Sequence, residues 1–351
     1  MRRLPIYFLI DVSESMVGDP IGQVQDGIST IIQELKTDPN SLETVWISII
    51  VFAGEARTIV PLQDIISFYP PKFPIGSGTS LSKGLGHLMH DLRKNLVKTS
   101  VEKKGDWKPI VFLFTDGVPT DDTTTAISEW NKNWKRTANL IAVSLGNGAD
   151  KKLLGKLTDN ILELENTDAS GYREFFKWVT DSIKTSSESV DTNKSGFELA
   201  KFDSLDLSII DIEKLEKSNA QHVDDNFVVL SAMCQNTKKT YLMKYKKLIK
   251  QSSFAGIELG TKSYRLNGAF QVDSSYEELS DESSQQLKVN TEELIGAPTC
   301  PCCGNQIAFA VCQCNQIHCI GEEEITTCPK CGNTGRYTAG TGGFDVNRTQ
   351  G

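Results

Sequence analysis

The first half of the chain alternates between two hydrophobic periodicities. Apolar runs of strand length occur at Ile6–Ile10, at Val45–Phe52 with Ser48 as its one polar residue, and at Ile110–Thr115, which closes on a threonine; a shorter edge run centres on Ile59 and Val60. Between them, apolar residues recur at three- and four-residue steps: Ile21, Val24, Ile28, Ile31 and Leu35, then Leu81, Leu85, Leu88, Leu92 and Leu96. Runs of the first kind predict buried strands and those of the second amphipathic helices. Asp19 followed by Pro20 predicts an N-cap and a first helical position for the first helix. Further along, a helix is expected over 122–138 around Ile127, Trp130 and Trp134, a strand over 139–145, a short helix near 151–157, a strand over 160–164 and a helix over 171–184. Strands alternating with helical crossovers imply an α/β fold, a doubly wound and mostly parallel sheet.

The pattern changes after residue 185. Thr185 to Lys194 is Ser, Thr, Glu, Asp and Asn with a single Val, and reads as a linker too polar to order itself. Residues 195–222 are ambiguous. Phe227–Leu230 and Thr240–Met243 are strand runs about a polar turn and open a smaller β-rich domain. Residues 277–293 are acidic and polar, and the Gly- and Thr-rich end reads as a frayed tail. The expected division is 1–185, a linker and ambiguous segment 186–222, a β-rich domain 223–337 with a cysteine module at 297–335, and a tail 338–351.

Composition narrows the class. The chain has 351 residues, 39% hydrophobic and 23% charged, the ordinary globular mix. No apolar run approaches the roughly 18 residues of a membrane span. The apolar stretch after Arg2 and Arg3 stops at Asp11 without a small-residue cleavage site, so a cytoplasmic protein is expected. A net charge of -8 argues against a general polyanion binder. Nine cysteines, eight of them between positions 300 and 331, favour metal ligation over disulfides in a reducing compartment.

In open parallel sheets, ligands bind beyond the carboxyl ends of the strands where the strand order reverses. Asp11-Val-Ser13-Glu-Ser15 follows the first strand, Gly76-Ser-Gly-Thr79 is a flexible loop, and Asp116-Gly follows the strand 110–115. Each piece alone occurs in ordinary turns. In this order, Asp11, Ser13, Ser15, Thr79 and Asp116 resemble the metal-ion-dependent adhesion site of von Willebrand factor A domains. The resemblance implies that these five hold a divalent cation, directly or through water, and that a partner's acidic side chain completes its shell. Hard oxygen donors suit Mg²⁺ or Mn²⁺.

Cys300-Pro-Cys-Cys303-Gly and Cys328-Pro-Lys-Cys331-Gly are paired knuckles separated by 24 residues. Such turns present thiolate pairs, and Cys300, Cys303, Cys328 and Cys331 are expected to close one tetrahedral Zn²⁺ site. Cys312, Cys314 and Cys319 are candidates for a second zinc or for packing in a hairpin; Cys302 reads as a spare and Cys234 as a core thiol. The A-domain pattern, the β-rich segment and the terminal cysteines together resemble the TerY family. That resemblance implies a bacterial cytoplasmic protein associated with tellurite resistance and stress response, linked to a PP2C-like phosphatase and a Ser/Thr kinase. Asn315 stands where Gly would be expected after Cys314.

The leading expectation is a non-enzymatic adaptor that binds protein partners. A nucleic-acid-binding zinc ribbon is the alternative, on the basic and aromatic stretch Lys238, Lys239, Tyr241, Lys244, Tyr245, Lys246, Lys247 and Lys250, although nucleic acid is unfavoured by the acidic ribbon with Glu322, Glu323 and Glu324. A metal-dependent hydrolase is a third reading, for which no general base is evident: His87 and His90 share one helix away from any recognisable partner.

Overall fold

The computed structural model describes residues 2–102, 104–146, 148–164, 169–191, 207–209, 226–248, 253–254, 257–258, 263–280, 287–323, 325–337 and 342–349. Lys250, Glu324 and most of the ambiguous segment lie outside these residues.

The first domain is built on strands β1 (Leu4–Asp11), β2 (Val45–Phe52), β3 (Ala56–Asp64), β4 (Ile110–Thr115), β5 (Asn139–Leu145), β6 (Ile161–Leu164) and β7 (Leu207–Ile209), in the sheet order β3-β2-β1-β4-β5-β6-β7. β1 pairs in parallel with both β2 and β4; the edge strands β3 and β7 are antiparallel. The helices are α1 (Asp19–Leu35), α2 (Pro39–Thr44), α3 (Leu81–Asn95), α4 (Thr124–Asn133), α5 (Lys151–Leu157) and α6 (Ala169–Asp191). Successive strand side chains point to opposite faces, so β1 sends Ile6, Phe8 and Ile10 into a core with Val24 and Ile28 of α1 and Phe175, Phe176 and Val179 of α6. Tyr7 and Leu9 join Leu85 and Leu88 of α3, Trp130 of α4 and Leu154 of α5 on the other face.

Several expectations are corrected. The N-cap of α1 is Gly18 at φ 90°, which moves Asp19 and Pro20 one position into the helix. α2, hidden by its shortness, is nucleated by Asp38, whose side chain accepts from Ser41 N, with Pro39 following. α4 is shorter than the expected 122–138. α6 extends to Asp191, into the polar stretch assigned to the linker, and Ser186 and Ser187 are buried there: Ser186 Oγ donates to Ser182 O and Ser187 Oγ lies 2.6 Å from Thr44 Oγ1 of α2. β7, from the ambiguous segment, extends the first sheet.

The second domain contains β8 (Phe227–Met233), β9 (Thr240–Lys247), a two-strand ladder β10 (Ser253–Phe254) and β11 (Ile257–Glu258), β12 (Tyr264–Gln271), α7 (Ser275–Leu279), β13 (Leu287–Asn290), β14 (Leu294–Ile295), β15 (Ile307–Val311), β16 (Ile317–Ile320), β17 (Ile325–Thr327), β18 (Thr334–Arg336) and β19 (Asp345–Arg348). Its main sheet has the order β14-β12-β9-β8-β16-β15. β19 belongs to the expected tail, yet it pairs with β13, buries Val346 and leads Thr349 N to Val229 O. The two domains share an apolar contact in which Val17 and Ile75 of the first meet Val229, Leu242, Val272 and Tyr276 of the second.

Gly27 sits where α1 crosses α6, and a Cβ there would lie 1.9 Å from Phe176 Cδ2. Phe176 is held among Phe114, Tyr172 and Phe175 and has little room to yield. Gly27→Ala should therefore destabilise the first domain by about 1–3 kcal/mol despite alanine's better helix propensity; urea unfolding would show an unchanged or raised midpoint if this packing were loose.

Candidate metal centres

The strand order reverses between β1 and β4, and both strands end on a carboxylate: Asp11 closes β1 and Asp116 follows Thr115 of β4. Beyond Asp11 the chain makes a single 3₁₀ turn, Glu14–Met16, that turns Ser13 and Ser15 to the same side; their hydroxyls are 3.0 Å apart. Ser15 Oγ donates to Asp116 Oδ1 at 2.7 Å, linking the two strand ends. Asp11 is fixed by Ser13 N at 2.9 Å on one oxygen and by Thr115 Oγ1 at 2.7 Å on the other.

Thr79 arrives on the loop before α3. Thr79 N donates to Thr120 Oγ1 and Thr120 N to Thr79 O, while Asp121 accepts from Ser80 Oγ and Ser82 N and so caps α3 from a distant loop. Gly117 adjoins both Thr79 Oγ1 and Ser15 Oγ, at 3.8 and 4.0 Å from the position of a Cβ. The five predicted residues are thus brought to one crevice and are all buried. Thr115, Thr120 and Asp121, which brace them, were missed by sequence reasoning; only the proximity of Asp121 to the Asp116 turn could have hinted at it.

Burial raises the Asp11 carboxyl to about 6, against the hydrogen bonds from Ser13 and Thr115. Two carboxylates in one buried crevice repel each other, and a divalent cation relieves that repulsion. The donor set of two carboxylates and three hydroxyls fits a hard cation such as Mg²⁺ or Mn²⁺. His87 is engaged by Thr58 at 2.9 Å and His318 by Tyr337 at 2.8 Å in the second domain.

The cysteines form two groups, and the grouping corrects the expectation. Cys300 and Cys303 meet Cys234 and Cys319; Cys328 and Cys331 meet Cys312 and Cys314. The two knuckles therefore do not share an ion. In the first, Cys300 N donates to Asn305 O and Gly304 N to Cys300 O, with Gly304 at φ 80°; the second repeats this with Cys328, Asn333 and Gly332 at φ 75°. Left-handed backbone at the glycine makes the tight return possible. Each knuckle is completed by a different turn. Cys234, expected as a core thiol, lies in the β8–β9 turn, where Gln235 N donates to Cys319 Sγ and Thr237 N to Cys234 Sγ. In the Cys312–Gln316 turn Asn315 takes φ 63° in place of the expected glycine, which asparagine tolerates better than other side chains. Cys302 stays outside both groups, its thiol pushed up to about 12 by burial and neighbouring sulfurs. Four thiols per group suit tetrahedral Zn²⁺.

The basic stretch does not form one surface: Lys244 is buried at 2% exposure, while Lys246 faces solvent.

A parallel sheet whose switch point carries this oxygen set defines a von Willebrand factor type A domain, and that family matches residues 6–174. The family of TerY-C metal binding domains matches residues 224–351. The chain thus joins a von Willebrand factor type A domain to a TerY-C metal binding domain, the pairing implied by the TerY resemblance. No curated protein matches the sequence. Among solved structures, proximal thread matrix protein 1 from the mussel byssus is 20% identical, the match covering 51% of this chain and 48% of that one at a TM-score of 0.38. The PilB minor pilin from Streptococcus sanguinis is 12% identical over 53% of this chain and 62% of that one, at 0.38. The ArnB paralog VWA2 from Sulfolobus acidocaldarius is 12% identical over 79% and 68%, at 0.39. The chain spans about half the length of the first of these.

The crossed cysteine pairing makes a direct prediction. Purified protein should carry two zinc ions per chain, and Cys234→Ser should lose the ion held with Cys300, Cys303 and Cys319 while keeping the other. Elemental analysis of Cys234→Ser against Cys331→Ser decides it. Full zinc content in Cys234→Ser would return Cys234 to the core and restore the knuckle-to-knuckle pairing.

Proposed function

We propose that the chain is a non-enzymatic adaptor that binds a protein partner through a divalent cation held by Asp11, Ser13, Ser15, Thr79 and Asp116. The observation that carries this reading is the convergence of these side chains from three loops at the strand switch point. The cation supplies an electrophilic centre for a partner's Glu or Asp, because three of its five donors would be neutral hydroxyls, which quench a hard cation less than carboxylates do. The protein's part is to keep the donors turned inward through the Ser15–Asp116 and Thr115–Asp11 bonds.

In this reading the TerY-C domain, secured by zinc, is a second docking surface. The partners are a PP2C-like phosphatase and a Ser/Thr kinase of a bacterial tellurite-resistance and stress-response system. A reducing cytoplasm suits nine cysteines, all free thiols.

Asp116→Ala should abolish cation-dependent partner binding at a cost of about 2–5 kcal/mol, the scale of a buried charged contact. The fold should survive, since the change removes one of two repelling carboxylates. Pull-down of the phosphatase and the kinase with wild-type and Asp116→Ala protein, with and without EDTA and with Mg²⁺ restored to zinc-loaded protein, measures this. Equal capture under all conditions would show that the cation is not the anchor.

A further inference from the structure

The second domain grips the loops that carry the cation ligands. Met16 N and Val17 N take the carbonyls of Ser13 and Glu14 in the 3₁₀ turn. The later carbonyls, of Ser15 and Val17, receive Lys244 Nζ from β9. Lys244 is buried, and its ammonium also lies 4.4 Å from the centroid of the Phe227 ring. Donors at the end of a helical turn satisfy carbonyls that have no partner within it, and a cation there complements their dipoles. Tyr276 Oη of α7 donates to Glu14 Oε1 at 2.5 Å, anchoring the residue between the two ligating serines.

The same helix reaches the second ligand loop. Ser77 N donates to Ser280 Oγ at 2.9 Å, and Glu55 N donates to Leu279 O at 2.9 Å. Gly76 passes so close that a Cβ there would lie 2.6 Å from Leu279 Cβ. Thr79 and Ser80 then carry this constraint to the third loop through Thr120 and Asp121.

We infer that the TerY-C domain is a working part of the cation site, with Lys244 and Tyr276 as positioning residues that hold Ser13 and Ser15 in their ligating arrangement without touching the ion. This inference rests on the cation-site reading proposed above. By charge alone, a lysine near a divalent cation weakens binding, so removing it should tighten binding if electrostatics ruled. Positioning predicts the opposite sign.

The test is Mn²⁺ titration of the zinc-loaded full chain, followed by the loss of the free-ion electron paramagnetic resonance signal. Lys244→Met keeps the length of the side chain and removes its donors; Tyr276→Phe keeps the ring and removes one hydroxyl. Arg57→Ala removes the exposed Arg57–Glu278 pair between the same domains, away from the ligands. We expect Mn²⁺ affinity to fall about tenfold in Lys244→Met and about threefold in Tyr276→Phe, as for hydrogen bonds to charged groups, and to be unchanged in Arg57→Ala. Zinc content and circular dichroism verify folding, and if Lys244→Met fails them, Tyr276→Phe decides alone. Wild-type affinity or tighter in the folded variants, or an equal loss in Arg57→Ala, would overturn the inference and leave the cation site standing. A wild-type chain that takes up no Mn²⁺ would overturn both.

Discussion

Two carboxylates confined to one buried crevice are the constraint from which the first domain's chemistry follows. Asp11 ends one strand and Asp116 immediately follows the parallel strand beside it, so the sheet itself sets their separation, and burial raises the cost of leaving both charged. The backbone N–H of Ser13 and the hydroxyls of Ser15 and Thr115 soften that cost without neutralising it. A divalent ion completes the electrostatics. The architecture keeps the site ready because the ligands sit on strand ends and tight loops whose conformations are fixed by buried hydrogen bonds. Little backbone freedom has to be surrendered when an ion arrives.

The second domain answers a different problem. Its sheet is small, and sulfur occupies positions that a larger domain would fill with hydrocarbon: Cys234, Cys300 and Cys319 are part of the apolar cluster with Val228, Leu230, Tyr241 and Ile317. A metal held there is both a crosslink and a core element. The other group, with Cys314 and Cys331 exposed, secures the turns around β17 and β18. Within each group the thiols are driven apart: Cys300 and Cys319 in the first group and Cys314 in the second are pushed up, while one of each group is held low, at about 7. Cys234 reaches it against burial through hydrogen bonds from Thr237, and Cys312 chiefly through the backbone at Cys314. A lowered thiol favours the thiolate that zinc requires.

Much of this was legible in the residues. Buried strands announce themselves by apolar runs, and the five candidate oxygen donors lie in segments whose order and turn chemistry single them out. What escaped notice involves partners distant in the chain. Ser186 and Ser187 look like linker until Thr44 is seen opposite, and α2 was too short for its periodicity to register. Val346 reads as part of a frayed end until β13 supplies a pairing strand. Cys234 lies 66 residues before Cys300 in the chain, beyond any knuckle spacing, so its recruitment to the sulfur set depends on sheet topology alone. Lys244 looked like one basic residue among several, and only the fold turns its head inward onto Ser15 and Val17.

The crossing of the two sulfur groups bears on how the domain is assembled. The ligands interleave along the chain, because Cys319 of one group falls between Cys314 and Cys328 of the other. The group around Cys312 closes a loop of 19 residues, whereas the one beginning at Cys234 must bring Cys319 back across 85 residues. Loop-closure entropy rises with length, so the long-range group is the costlier to form unaided and the one whose metal most restrains the unfolded chain. A metal in that group would tie the end of β8 to β16 across the longest of these loops.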